Sequence, residues 1–457
     1  MNIYIHVEIS VRELDSKLLL AAIAASKGHQ VIVSDLESIV SAINKNILSP
    51  GIFLTKSLTP TKEKIIRHQM LKDKGFLITS IDEEAGLDIS GYKQFANTRF
   101  SEKTIEQSSK IFCWGNEDVK NLKKKYPQYS SKIFKTGSPR VDLWRPSFAG
   151  YWNTAIKKPK KPFLLVSSNM ALANNNDPFY KVFSKSRSMN YFNNDPQLFD
   201  EKFNRTSEQY LTIAAFIKAI RFLSKNSSDY DIVLRPHPAE NIEAWKVFLD
   251  GLPNVHVIRE DSISAWVNSS FGVMHNGCTT AFETTISEKP LISYVPYEQK
   301  HTYQYANQLG HKVHTEYELL DKVNEFFKNK NFLNKEEPHS QSLKIIFDKL
   351  FIDHNEYAAE KIVKEWETLD SKDLSKSFSL SYLKNHLRLI KNKKKLINFL
   401  KKFFPFRFGH YYEDRKFQVL DQDDISKRIN NLKKILKLDE SVNCTVLSDR
   451  TILIKKN

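Results

Sequence analysis

Short apolar runs separated by helix-length segments limit what this chain can fold into more than any other feature of its sequence. In the first half the runs are Ile3–Val7, Val31–Val33, Ile52–Leu54, Phe76–Thr79 and Ile111–Trp114, with a helix expected near Asp15–Lys27. Strands alternating with helices indicate a parallel sheet with covered faces and right-handed crossovers. The stretch Lys157-Lys158-Pro159-Lys160-Lys161-Pro162 interrupts the pattern. Two prolines among four lysines do not fit inside a sheet and are well solvated, so this stretch reads as a linker. After it the alternation restarts, with strands expected at Phe163–Ser167, Asp231–Leu234, Val255–Ile258, Phe271–Met274 and Leu291–Tyr294. The segment Tyr210–Leu223 carries apolar residues at helical spacing between the first two. The sequence therefore predicts an α/β chain of two Rossmann-like parallel-sheet domains, residues 1–156 and 163–370, joined by a linker over 157–162. Their strand ends would face a central cleft, where such sheets bind ligands.

Charge separates the remainder, residues 371–457, as a basic extension. Lys and Arg total 69 against 53 Asp and Glu, a net charge of +16. Of that excess, 21 basic and 9 acidic residues fall in 371–457. Residues 381–410 hold nine basic residues and no acidic one, with Leu383, Leu387, Ile390, Ile397, Leu400 and Phe404 at helical spacing and Phe403-Phe404-Pro405-Phe406 closing the run. A basic amphipathic helix ending in aromatics suits the surface of an anionic membrane. It equally suits a helix that packs its apolar stripe on the body and solvates its lysines. The strand-like Thr451–Ile454 would close a small C-terminal subdomain. Because the charge is concentrated in one tail rather than along an aromatic-studded groove, a nucleic-acid partner is not expected. The three cysteines, Cys113, Cys278 and Cys444, are too few and too scattered for a disulfide framework or a cysteine zinc site. The apolar run Leu18–Ala25 is far shorter than a membrane span. Cytoplasmic residence follows, with any membrane contact peripheral.

Three segments carry chemistry. Leu234-Arg235-Pro236-His237-Pro238 follows a strand directly, and its prolines fix the backbone on both sides of His237. An imidazole beside Arg235 at a strand end is a natural phosphate ligand. His275-Asn276-Gly277-Cys278-Thr279-Thr280-Ala281-Phe282-Glu283 also follows a strand and opens a helix. Gly277 permits a tight turn, while Thr279 and Thr280 are expected to cap the helix and leave N–H groups for a phosphate. Asn276 lies in the same turn, and Glu283, one turn in, is placed to accept hydrogen bonds from ribose hydroxyls. In the first half, Asp82-Glu83-Glu84-Ala85-Gly86 follows a strand. Three adjacent carboxylates repel one another, so at least one is expected to titrate high and to serve as a general base or nucleophile. Site walls are expected from Ser168 and Asn169, from Arg140 in Thr136-Gly137-Ser138-Pro139-Arg140, and from Glu8, Arg12 and Lys17 in the first strand–helix connection. No Gly-x-Gly-x-x-Gly, Walker-type Gly-Lys-Ser/Thr, His-Glu-x-x-His or Gly-x-Ser-x-Gly pattern occurs, which weighs against oxidoreductase, NTPase, zincin and hydrolase readings.

Together with Val7-Glu8-Ile9-Ser10-Val11-Arg12-Glu13-Leu14, these motifs resemble bacterial surface-carbohydrate biosynthesis proteins over roughly residues 1–370, extending into the Lys416-Phe417 region. The arrangement also resembles GT-B glycosyltransferases that use CMP-activated acidic sugars of the Kdo and sialyl type. Their acidic pair, His-Pro and later Ser/Thr-pair motifs match Glu83-Glu84, His237-Pro238 and Thr279-Thr280. The resemblance implies a GT-B-like fold, a CMP-sugar donor held by His237 and the threonines, and Glu84 acting at the anomeric centre. It implies a glycan or lipid-linked glycan acceptor, and no metal or other cofactor. Ala85, inserted before Gly86, leaves Glu83 as an alternative to Glu84. A CDP-glycerol- or CDP-ribitol-type polyol-phosphate transferase, which shares the Arg-x-His-Pro loop, is the alternative activity, and a non-catalytic nucleic-acid-binding protein, suggested by the basic charge balance, ranks below it.

Overall fold

The structure, a computed structural model, describes residues 1–85, 92–152, 156–188, 192, 195–301, 305–329, 337–369, 374–403 and 417–457. Gly86 of the acidic motif, and Phe404, Pro405, Phe406 and Lys416 of the tail, lie outside the described residues. The chain divides into two compact units: Met1–Leu143 with Phe347–Asn457, and Trp144–Ile346. The break is therefore neither at 157–162 nor at 370. Residues 144–162 belong to the second unit, and everything from 347 onward returns to the first.

The first unit begins with β1 (Asn2–His6), β2 (Gln30–Ser34), β3 (Ile52–Thr55), β4 (Leu77–Ile81), β5 (Lys110–Cys113) and β6 (Ile133–Lys135). The second holds β7 (Phe163–Ser167), β8 (Asp231–Arg235), β9 (Val255–Val257), β10 (Gly272–His275), β11 (Leu291–Tyr294) and β12 (His311–Val313). The hairpin β13 (Val442–Ser448) and β14 (Thr451–Lys456) belongs to the first. The sheet orders are β13-β14-β2-β1-β3-β4-β5-β6 and β12-β11-β10-β7-β8-β9. All pairs are parallel except β14 with β2 and β13 with β14. Each parallel sheet reverses its winding beside its first strand, between β1 and β3 and between β7 and β10. These reversals are the topological switch points, where the strand ends leave a crevice.

The strands that sequence patterning indicated are present within a residue or two. The short edge strands β6 and β12 and the half-buried β13 went unanticipated. In the first unit α1 (Ser10–Ser26), α2 (Leu36–Asn44), α3 (Lys62–Asp73) and α4 (Tyr92–Arg99) follow β1 to β4 in turn. Helix α1 starts five residues earlier than expected because its first turn buries a charged residue, Glu13, which an apolar-spacing argument leaves outside. Asp35 caps α2 by accepting from the Ser38 N–H at 3.0 Å, and Thr61 caps α3 through the Lys64 N–H at 3.3 Å.

The basic extension is not a separate subdomain. Strand β14 extends the first sheet, setting Ile452 opposite Val33 and Leu453 opposite Ile32. Leu383 and Leu387, on the helix Leu380–Phe403, are buried in one cluster with Tyr4, Ile32, Phe53, Leu71 and Ile78. Part of the tail's charge is met by this body: Lys394 Nζ lies 2.8 Å from Glu37 and 3.2 Å from Asp35, Arg450 3.3 Å from Asp35, and Arg428 2.7 Å from Asp15. The returning chain also passes close to two glycines. A Cβ at Gly115 would lie 1.7 Å from the Lys349 carbonyl oxygen, and one at Gly137, where φ is +81°, 2.6 Å from that of Phe351. Trp366, fully buried, then donates its Nε1–H to Thr79 Oγ1 at 3.1 Å.

Candidate functional site

In the second unit the switch point is built from neutral groups. Ser167 at the end of β7 lies 3.3 Å from Cys278 Sγ and donates to Thr280 Oγ1 at 3.2 Å, and Asn169 Nδ2 donates to the Gly277 carbonyl at 2.8 Å. Gly277 turns with φ +56° and donates its N–H to Asn307 Oδ1 at 2.7 Å. Asn276, expected among the ligands, donates Nδ2 to the Tyr294 carbonyl at 2.7 Å and serves the fold. His275 is fully buried, and burial pushes its pKa down to about 3. Its Nδ1 accepts the Cys278 N–H at 3.4 Å, so Nε2 carries the proton towards Ser293 Oγ at 2.8 Å.

The helix at this turn, Thr280–Ile286, is not capped as expected. Thr279 has helical φ and makes no capping hydrogen bond, and Thr280 Oγ1 is engaged by Ser167 and Cys278. Glu283 is buried within this helix rather than presented to a ribose, and its charge acts on Arg235. Arg235 in turn is held by the fold. Its guanidinium donates to the backbone carbonyls of Arg259, Glu260 and Asp261 and lies 5.6 Å from the Trp266 ring centre. Burial lowers its pKa to about 10, against the pull of Asp261 and Glu260. It braces the loop after β9.

His237 and Pro238 are exposed. The His237 Nδ1 accepts the Ala239 N–H at 3.2 Å, which leaves Nε2 as the protonated nitrogen of the neutral ring. What fixes this loop is Glu240, which sequence patterning did not single out. Its fully buried carboxylate accepts from Ser168 Oγ at 2.9 Å, Met170 N at 3.0 Å, His237 N at 3.1 Å and Trp245 Nε1 at 2.7 Å. One acid thus ties the ends of β7 and β8 together. The signal available in the sequence was a lone Glu three residues after His237.

In the first unit the switch point is crowded with charge. Glu8, after β1, pairs with Lys56, after β3. Lys17 is no site wall: it is buried, and its Nζ pairs with the buried Glu83. Burial alone pushes the Glu83 carboxyl up, but Lys17, Arg140 and Arg12 hold it below the ordinary value. Asp82 does titrate high, as one of the three was expected to. The main cause is burial rather than repulsion, and it acts despite the paired hydrogen bonds from Arg99 at 2.7 and 2.9 Å. Glu13 is pushed up by burial and by neighbouring Glu83, and accepts the Glu8 N–H at 2.8 Å. Above these sits Glu84, whose side chain is 53% exposed, with Arg12 at 3.5 Å and Arg99 at 3.8 Å. Arg140 stands on the turn Pro139–Asp142, which Ser138 caps.

No family model matches the sequence, and no curated protein matches it. Solved structures with a similar fold include a UDP-GlcNAc 2-epimerase from Methanocaldococcus jannaschii bound to UDP-GlcNAc and UDP. It is 15% identical with a TM-score of 0.44, over 80% of this chain and 99% of that one. A structure described as a UDP-N-acetylglucosamine 2-epimerase from Listeria monocytogenes is 14% identical with a TM-score of 0.48, over 83% and 99%. The wall teichoic acid polymerase TagF is 14% identical with a TM-score of 0.41, over 69% and 71%. Likenesses this distant bear on neither substrate nor reaction, which rest here on the residues. No helix among the described residues is long and apolar enough to cross a membrane.

Proposed function

We propose that the protein is a GT-B-like glycosyltransferase that moves an acidic sugar of the Kdo or nonulosonate type from a CMP-activated donor to a surface-polysaccharide precursor. The motif resemblance supplies the donor and acceptor classes. Glu84 carries the reading at the level of residues: it is the exposed member of an acidic pair whose other member, Glu83, is locked to Lys17. In this reading Glu84 acts at the anomeric centre, Glu83 and Asp82 position it, and CMP departs with the bonding electron pair. His237, on the loop that Glu240 fixes, holds the nucleotide phosphate together with the Gly277–Thr280 turn. The exposed side of the helix Leu380–Phe403 holds the enzyme at an anionic membrane surface.

Release of CMP from CMP-Kdo or a CMP-nonulosonate in the presence of a glycan acceptor tests the activity. Glu84→Gln is expected to lower kcat by about 100-fold or more, and His237→Ala to raise KM for the donor. Full activity in both variants removes these roles. A melting-temperature rise with CDP-glycerol but not with CMP-sugars replaces the activity with polyol-phosphate transfer.

A further inference from the structure

Helix α3 carries a feature that the proposed reaction does not use. Its inward stripe runs Lys64, Arg67, His68, Leu71, at the three- and four-residue spacing of one helix face. Leu71, at the far end, is fully buried in the core with Tyr4 and Phe53. The near end, at the strand termini, replaces apolar residues with cations. Lys64 Nζ donates to Ser57 Oγ at 2.7 Å and to the Ser57 carbonyl at 3.0 Å, and it has no acidic partner within ion-pair distance among the described residues. Arg67 is half-buried, its Nε is enclosed without a hydrogen bond, and the field of Glu63 on the same helix is the acidic influence on it. From the sheet, His6 ends β1 on the same face as Tyr4. It is more than nine-tenths buried, and its Nδ1 has no hydrogen-bond partner.

These groups act on one another. Burial and then Arg67, Arg99 and Lys56 drive the Lys64 pKa down to about 8, against the pull of Asp82. Burial, Lys56 and Arg67 push His6 down to about 3, against the pull of Glu8. Cations crowded at a strand-end crevice raise the free energy of the empty protein, and an anion lowers it.

We infer that the β1–β3 switch point of the first unit contains an anion site, formed by Lys64 and Arg67 with His6 beneath them, that takes a phosphate or diphosphate group. Assigning that group to the glycan acceptor rests on the transferase reading; the site itself does not. Calorimetric titration of the full chain with inorganic pyrophosphate at low salt tests it. The wild type is expected to bind, and Arg67→Gln and Lys64→Gln each to weaken binding at least tenfold. Without the anion, Arg67→Gln is expected to melt at the wild-type temperature or above, because it removes an uncompensated charge. Failure of the wild type to bind, or wild-type affinity in both variants, overturns the site. Binding that depends on Arg67 in a protein with no affinity for CMP leaves the site standing and removes the transferase reading. Geranyl diphosphate competing at lower concentration than pyrophosphate assigns the group to a lipid-linked diphosphate, and equal competition assigns it to a soluble phosphorylated glycan.

Discussion

The two switch points solve the same geometric problem with opposite chemistry. In the second unit, hydroxyls, amides and backbone groups satisfy one another around Ser167, Gly277 and Thr280, and the carboxylate of Glu240 is saturated by donors. In the first unit, five acids and at least as many bases crowd the ends of β1, β3 and β4, and burial has displaced the titration of His6, Glu13, Lys64 and Asp82. A site of the first kind is finished before its ligand arrives, so it positions. A site of the second kind holds electrostatic free energy that an anion or a change of protonation releases, at a cost in stability.

If that contrast is right, the second unit is the more damaged by losing its organising acid. Glu240→Ala strands the buried N–H groups of Met170 and Trp245 and the buried Ser168 hydroxyl, each costing about 1–3 kcal/mol. A loss of roughly 4 kcal/mol or more is expected in denaturant unfolding, with weakened donor binding. A loss under about 1 kcal/mol would show that the loop holds itself.

In the first unit the equivalent blow is Lys17→Met, which leaves Glu83 buried without its cation and costs about 3 kcal/mol at neutral pH. The pH dependence separates this from ordinary packing loss. The folded Glu83 carboxyl titrates below its ordinary 4.5, so its contribution is present above that pH and is lost as pH falls through the folded value. The gap between wild type and Lys17→Met is therefore widest at pH 7 and closes on acidification. A gap independent of pH would remove the ion pair from the account.

His68 gives a stabilising counterpart. Both its ring nitrogens are buried without partners, and burial, with Arg67 and Lys64, pushes its pKa down to about 3. The unfolded chain takes up the proton first, so this group's contribution is complete above pH 6.5 and is lost as pH falls towards 3, by up to about 1.4 kcal/mol per pH unit. His68→Leu is expected to raise stability by about 1–2 kcal/mol at neutral pH and to flatten the acid limb of the urea midpoint. A lower midpoint at pH 7 would mean that the imidazole is satisfied after all.

Why some of this was legible in the sequence and some was not follows from range. Strands β7 and β11 matched to the residue because a buried parallel strand is a continuous apolar run between turn residues. His237 and the Gly277 turn stood out because proline and glycine mark rigid strand ends. Lys17 was misread because a lysine is ordinarily solvated, and only Glu83, 66 residues away, makes its burial tolerable. Arg235 was misread for the same reason, its partners being carbonyls of residues 259–261. The cations of α3 were passed over because a charge on a helix is usually a solvated face, and the inward stripe shows only once the sheet defines what is inward.

The tail offers the smallest effect and the cleanest division of roles. Deleting residues 381–410 would remove Leu383 and Leu387 from the core of the first unit, so loss of vesicle binding in that variant would report unfolding as readily as a lost anchor. The opposite face of the same helix exposes Tyr382, Leu389 and Leu396, seven residues apart, with Phe399 beside them and Arg388, Lys393 and Lys395 exposed around them. Leu389→Ser, Leu396→Ser and Phe399→Ser together are expected to change stability by no more than about 0.5 kcal/mol per site. Sedimentation with anionic vesicles is expected to fall sharply, while the melting-temperature response to added CMP matches that of the wild type. Undiminished sedimentation would leave the stripe a solvated helix face, with Lys394 tying the helix to Asp35 and Glu37.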